Sequence, residues 1–156
     1  ELPSQIMENW AADPEVLKVY AAITNGEPIP QELIDKLKNS GHFNQGFVTT
    51  EFMAAALLDM AYHTRNTTDP VNPNEFEKAT LEKIGLIPEI TVRYRSPYFA
   101  LFAGGYSSGY YAYTWAEVLD ADAFEAFKET GNIFNPEKAK AFRENILSKG
   151  GSEDAM

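Results

Sequence analysis

The chain has 156 residues and a formal net charge of −10, from 13 Lys and Arg against 23 Asp and Glu, and it contains no cysteine. This length suits one hydrophobic core, so we expect residues 1–156 to form a single domain. The acidic composition disfavours nucleic acid and anionic membranes as partners, and the absence of cysteine excludes disulfides and thiolate metal sites.

The first half of the chain predicts four helices, because apolar residues recur at helical spacing between capping and stopping residues. The expected starts are Pro3, the pair Asp13-Pro14, the segment from Pro28 to Pro30, and Thr49 or Thr50. We expect the second helix to run through Ile23 and the third to stop at Asn39-Ser40-Gly41. A polar loop from Thr64 to Asn74, with two prolines, ends this half.

The second half predicts fewer helices with more irregular connections. Asn74 is expected to cap a helix to Ile84 that Gly85 closes, and residues 86–96 to form an extended connector or at most a short strand. A central helix follows, then a turn at Gly131-Asn132 and a last helix from Pro136 to about Leu147. The predicted fold class is therefore all-α, with about six or seven helices.

The central stretch from Gly104 to Phe127 is rich in tyrosine and glycine. On a helix, Tyr106, Tyr110 and Tyr113 stand at i, i+4 and i+7, which predicts that their hydroxyls share one face. A second, more apolar stripe is suited to packing; it consists of Tyr111, Trp115, Val118 and Leu119. From composition alone, a tyrosine row of this kind is more often a packing stripe than a binding site.

The sequence argues against membrane insertion and against a signal peptide. The window 96–116 is uncharged and long enough to span a bilayer, but its serines and tyrosines make it too polar, and Pro97 and the Gly104-Gly105 pair interrupt it. The opening residues Glu1 to Ser4 have neither the basic start nor the apolar segment of a signal peptide. We expect no membrane partner.

The two histidines, His42 and His63, do not stand at metal-binding spacing, and the chain has no HExxH motif. Asp59 and His63 are at i, i+4, so they could bind a cation or form a carboxylate–imidazole pair. An ordinary hydrogen bond on one helix face is the favoured interpretation.

The run GGY, YYAY and WAEVLDADAF between residues 104 and 124 resembles the segment after the metal site in zinc metallopeptidases related to thimet oligopeptidase, oligopeptidase A and bacterial peptidyl-dipeptidase. The start Glu1-Leu2-Pro3-Ser4-Gln5 and the stretch Gly150 to Asp154 are similar to the same family. The resemblance implies that residues 1–156 are a C-terminal helical subdomain of a larger zincin catalytic domain. This sequence departs from the family pattern near Ala100, where relatives usually carry a histidine.

The resemblance also implies roles for individual residues. Glu1 would be the third zinc ligand, and the two histidine ligands and the base of HExxH would lie upstream of this chain. Tyr113 would donate to the oxyanion, Tyr106 would hold substrate or share that catalytic role, and Tyr110 would contact substrate. Zinc is expected in the intact enzyme and none bound to this chain alone.

The function implied is hydrolysis of short peptides, with release of C-terminal dipeptides, in a bacterial cytoplasm or periplasm. The remainder of the catalytic domain would be the main protein partner, and the chain by itself would be inactive and able to self-associate through exposed apolar surface. The alternative is a free-standing helical module that binds a peptide or glycan on its aromatic face. An HExxH motif encoded upstream would discriminate in favour of the peptidase.

Overall fold

The computed structural model describes residues 1–23 and 25–152, which form an all-α fold. The helices are α1 (Leu2–Ala12), α2 (Pro14–Tyr20), α3 (Gln31–Ser40), α4 (Gln45–His63), α5 (Pro73–Lys83), α6 (Ala112–Lys128) and α7 (Pro136–Phe142). Two 3₁₀ turns, Ser96–Tyr98 and Ala100–Ala103, precede α6, and a π-helical turn, Arg143–Leu147, extends α7. Strand pairing in the described part is limited to one isolated antiparallel bridge between Ala22 and Pro28. The predicted fold class is confirmed.

Three helices begin with the same pair of residues, Asp or Asn followed by proline. Asp13, Asn72 and Asn135 are the N-caps of α2, α5 and α7, and proline occupies the first turn of each helix. Each cap side chain accepts one or two hydrogen bonds from backbone N–H groups in the first turn of its helix, at 2.8 to 3.4 Å. These donors have no partner within the helix, so the caps stabilise the helix starts.

Two predicted helix starts are wrong. The cap of α5 is Asn72, two residues before Asn74, because Pro73 fits the first helical position and needs no donor. Helix α4 begins at Gln45, earlier than Thr49 or Thr50, since the turn ends at Asn44 in a left-handed conformation with φ 52°. Thr50 lies inside α4 and donates its hydroxyl to the Gly46 carbonyl oxygen at 2.7 Å.

Helix α2 ends at Tyr20 and does not reach Ile23, because the following backbone bonds to a later segment. Ile29 donates to the Ala21 carbonyl at 2.9 Å, and Ile23 donates to that of Glu27 at 2.9 Å. The predicted helix ends at Gly85 and Gly131 are confirmed, and both glycines have a positive φ, 73° and 72°.

The chain folds into two compact units. The first comprises Glu1–Ile34 together with the chain from Tyr113 onward. Its core contains Ile6, Phe124 and Ile133. Trp10 packs edge-on against Phe124, with ring centroids 4.7 Å apart, and donates its indole N–H to the Ile133 carbonyl at 2.9 Å.

The second unit comprises Asp35–Ala112. Helix α4 supplies Ala54 and Leu58 to its core, and Val92 of the irregular connector packs with them. The connector is tied to α5 by the buried carboxylate of Glu77, which accepts from the Arg95 guanidinium and, at 2.6 Å, from the Ser96 backbone N–H. Assignment of residues 1–156 to a single subdomain of a larger domain stays a prediction.

No helix in the described residues combines the length and apolar character that a membrane span requires. Turns at residues 148–152 follow the π-helical turn, and residues 153–156, including Glu153 and Asp154 of the sequence resemblance, lie outside the described part.

Candidate active-site residues

The expected row of three tyrosines on one helix is wrong. Helix α6 begins at Ala112, so Tyr113 is helical, whereas Tyr106 and Tyr110 lie in the preceding turns. We call residues 104–111 the tyrosine loop. Successive backbone hydrogen bonds close its turns. The Ser107 N–H donates to the Gly104 carbonyl oxygen at 3.2 Å, and the Gly109 N–H donates to the Tyr106 carbonyl oxygen at 2.8 Å. Glycines and a left-handed Ser108, with φ 55°, favour turns over a continuous helix.

A buried carboxylate on α4 bonds to the backbone of the tyrosine loop. Asp59 has no exposed surface, and its oxygens accept from the Ser108 N–H at 3.2 Å and the Tyr110 N–H at 3.1 Å. His63 places Nδ1 2.9 Å from Asp59 Oδ1 and 2.8 Å from the Asp59 carbonyl oxygen. Since a carbonyl only accepts, Nδ1 carries a proton.

The hydrogen bond predicted between Asp59 and His63 is therefore confirmed, but the link from Asp59 to the loop was not anticipated. The sequence does contain a signal for such a link, since Asp59 stands among apolar residues of α4. A carboxylate that is buried with them needs several hydrogen-bond donors. The sequence does not say which donors these are, since Ser108 and Tyr110 lie 49 and 51 residues away.

Tyr110 is 3% exposed and belongs to an aromatic cluster of the second unit. Its ring stacks on Phe52 with centroids 4.9 Å apart and meets the edge of Phe99 at 5.0 Å. The Tyr110 ring is therefore a packing residue, which is the role that the composition favoured for the tyrosines. Tyr106 is half-buried in the loop, and substrate contacts by either tyrosine stay predictions.

Tyr113 is half-buried in the first turn of α6, and its carbonyl accepts from Gln5 Nε2 at 3.2 Å. Farther along both helices, Asn9 Nδ2 donates to Asp120 Oδ1 at 3.2 Å. The order of these contacts means that α1 and α6 run in the same direction. Glu1, one turn before Gln5, therefore lies at the same end of the helix pair as Tyr113.

Glu1 is exposed and precedes the first residue of α1. Its carbonyl oxygen accepts the backbone N–H groups of Ser4 at 2.9 Å and Gln5 at 3.0 Å. A carboxylate is a suitable zinc ligand, so this side chain fits the role of one ligand. Within residues 1–23 and 25–152, no group of three His, Cys, Asp or Glu side chains could hold a metal ion.

Helix α6 has apolar residues on two faces. One face is buried in the first unit and includes Ala116, Phe124 and Phe127. The other, which we call the outer face of α6, consists of Trp115, Val118 and Leu119, which are 61%, 57% and 38% exposed. These residues were expected to pack, and so was Tyr111, which is 52% exposed. In the described structure they are surface residues.

Comparison with known proteins agrees with the sequence resemblance. The model of Peptidase family M3 matches residues 1–156. The chain is 42% identical to a dipeptidyl carboxypeptidase of Escherichia coli and 39% identical to oligopeptidase A of the same organism, over 99% and 100% of its length. It is 28% identical to saccharolysin of Saccharomyces cerevisiae over 99% of its length. It spans 23% of each Escherichia coli relative. Because the family model covers the whole sequence, the chain belongs to peptidase family M3.

Proposed function

We propose that the chain is part of the catalytic domain of a zinc-dependent peptidase that hydrolyses short peptides and releases dipeptides from their C-termini. Membership of Peptidase family M3 and the 42% identity to a dipeptidyl carboxypeptidase support this proposal. The structural observation that carries it is the hydrogen bond from Gln5 to the Tyr113 carbonyl. This bond joins the helix that begins beside Glu1 to the helix that carries Tyr113.

In this proposal Glu1 contributes one carboxylate ligand, and the other ligands and the base come from the rest of the enzyme. Zinc, when bound, polarises the peptide carbonyl. Tyr113 donates its O–H to the carbonyl oxygen of the scissile peptide as negative charge grows there. Because this charge is larger in the transition state than in the substrate, the hydrogen bond accelerates the reaction.

Tyr106 is proposed to hold the substrate or to share the hydrogen bond to the oxyanion. Its loop contains Gly104, Gly105 and Gly109, whose small size allows a peptide to approach the backbone closely. Tyr110 is assigned a substrate contact by resemblance alone. Its ring is nearly fully buried, so we propose that its larger contribution is to keep the loop in place.

The outer face of α6 is proposed to pack against the remainder of the catalytic domain. Exposed apolar patches with aromatic residues are typical of surfaces that another part of a protein covers. The chain spans 23% of the dipeptidyl carboxypeptidase, so most of such an enzyme would be available to cover it. A bacterial cytoplasm or periplasm is the proposed compartment.

The test uses the intact protein and short peptides of about four to eight residues. The cleavage products are identified by mass spectrometry. Each peptide is prepared with a free and with an amidated C-terminus. We expect release of C-terminal dipeptides from the free form, weaker cleavage of the amide, and loss of activity on chelation that zinc restores.

The other outcomes separate the alternatives. Internal cleavage that is indifferent to amidation would replace dipeptide release with an oligopeptidase specificity. Binding of the peptides without cleavage, at full zinc occupancy, would contradict the peptidase proposal and favour a binding module.

A further inference from the structure

We infer that Asp59 is a positioning residue for the tyrosine loop, acting through the loop backbone and not on the substrate. The inference rests on the proposed peptidase function for its catalytic consequence. Its structural basis is independent, because it concerns hydrogen bonds within the second unit.

The surroundings of Asp59 are those of a backbone anchor. Its side chain is completely buried, and a buried carboxylate is costly unless several donors surround it. Here the donors are the Ser108 and Tyr110 N–H groups and His63 Nδ1. Two of these donors belong to the loop backbone, so formation of this carboxylate site requires the loop to be in its turn conformation.

The bonds to Asp59 hold a loop whose turns are closed by short-range hydrogen bonds. Ser107 donates its hydroxyl to the carbonyls of Phe102 at 2.6 Å and Gly104 at 2.8 Å, which stand five and three residues before it. Glycine-rich segments lose much conformational entropy when they are ordered. Ser108 also has a positive φ, which is unfavourable for a residue with a side chain.

Ser108 and Tyr110, the two loop residues that bond to Asp59, stand on either side of Gly109, which bonds to Tyr106. The Tyr106 carbonyl accepts the N–H of Gly109, which lies between the two residues bonded to Asp59. A change at Asp59 therefore alters the backbone that carries the Tyr106 ring. Misplacement of a substrate-holding group by about 1 Å can lower a rate by up to about 10²-fold, even when the change is remote from the reacting atoms.

The test compares Asp59→Asn with Glu77→Gln in the intact peptidase. Asparagine has the shape of aspartate but replaces one acceptor oxygen with a donor, which then faces a backbone N–H. Glu77→Gln is the matched control, because Glu77 is also a buried carboxylate of the second unit that accepts a backbone N–H, from Ser96 outside the loop. Hydrogen exchange of residues 104–111 and steady-state kinetics are measured for both.

For Asp59→Asn we expect exchange of residues 104–111 to become about tenfold faster or more, and kcat/KM to fall about tenfold or more. For Glu77→Gln, the exchange rate of residues 104–111 and kcat/KM should both stay within about twofold of the unmodified enzyme, even if this variant unfolds at a lower temperature. Unchanged loop exchange in Asp59→Asn, or equal effects of the two substitutions, would overturn the inference.

If Asp59→Asn does not fold, His63→Leu decides instead, because it removes one donor to the carboxylate and retains an apolar contact beside Phe102. Loop exchange should then rise by about two- to threefold, and no rise would overturn the inference. An intact protein that cleaves no peptide would contradict the proposed function, while the exchange result would still decide the role of Asp59 in the loop.

Discussion

Tyr113 and Tyr111 are separated by one residue but have different surroundings. Tyr113 is half-buried in the first turn of α6, whereas Tyr111 is 52% exposed in the preceding turn. If Tyr113 is the oxyanion donor, Tyr113→Phe in the intact enzyme should lower kcat by roughly 10²-fold or more. The measurement is steady-state kinetics together with zinc content and thermal unfolding, which should hardly change, because the substitution removes one oxygen atom.

Tyr111→Phe is the control for this prediction, since it makes the same chemical change nearby. We expect little effect of Tyr111→Phe on kcat. Small and equal effects at both positions would mean that Tyr113 has no catalytic hydrogen bond, and the tyrosines would then be packing residues.

At the scale of a single element, the start of α5 offers a sharp comparison between two asparagines. Asn72 caps the helix through its side-chain oxygen, whereas Asn74 lies within the first turn. Asn72→Ala should lower the free energy of unfolding by about 1 kcal/mol, because two backbone N–H groups lose their acceptor. Asn74→Ala should be neutral or slightly stabilising, because alanine has the higher helix propensity. Urea unfolding followed by circular dichroism distinguishes them, and a larger loss at Asn74 would contradict the assigned cap.

The outer face of α6 leads to a prediction about the whole molecule. In the 156-residue chain this apolar face is exposed, so the chain should self-associate as its concentration rises. Trp115→Gln should weaken that association. Val19→Gln is the control, because Val19 is 88% exposed but belongs to α2. Sedimentation velocity over a concentration series measures both, and a strictly monomeric unmodified chain would contradict the prediction.

A second prediction for the whole molecule concerns zinc. Among the described residues no cluster of three ligands exists, and Glu1 supplies at most one carboxylate. After dialysis against metal-free buffer, the isolated chain should hold less than about 0.1 zinc per molecule, because a catalytic site needs three protein ligands. It should also cleave no peptide. One equivalent of zinc measured by atomic absorption would refute the ligand assignment.

The sequence predicted features that depend on near neighbours. Asp13-Pro14 correctly marks the start of α2, and Gly85 and Gly131 correctly mark helix ends, because capping chemistry involves residues a few positions apart. The early start of α4 at Gln45 was missed, because the left-handed conformation of Asn44 is one of several that its sequence permits.

The candidate site was less predictable, because its geometry depends on distant residues. Periodicity placed Tyr106 and Tyr110 on a helix, but the glycines and the bonds to Asp59 favour turns. The pairing of Gln5 with the Tyr113 carbonyl joins residues 108 positions apart, and no local pattern indicates it. The roles of Glu1 and Tyr113 came from family resemblance and stay predictions.

The repeated proline in the first turn of α2, α5 and α7 also affects the unfolded chain. A proline ring fixes φ near −65° before any helix forms, so each of these sites has fewer denatured conformations to lose. The preceding Asp or Asn is also biased towards the extended backbone that an N-cap adopts. Pro73→Ala would therefore leave the native contacts of α5 almost intact and still favour unfolding, since the denatured ensemble would gain entropy. The boundaries of these three helices are thus partly determined before the chain acquires tertiary structure.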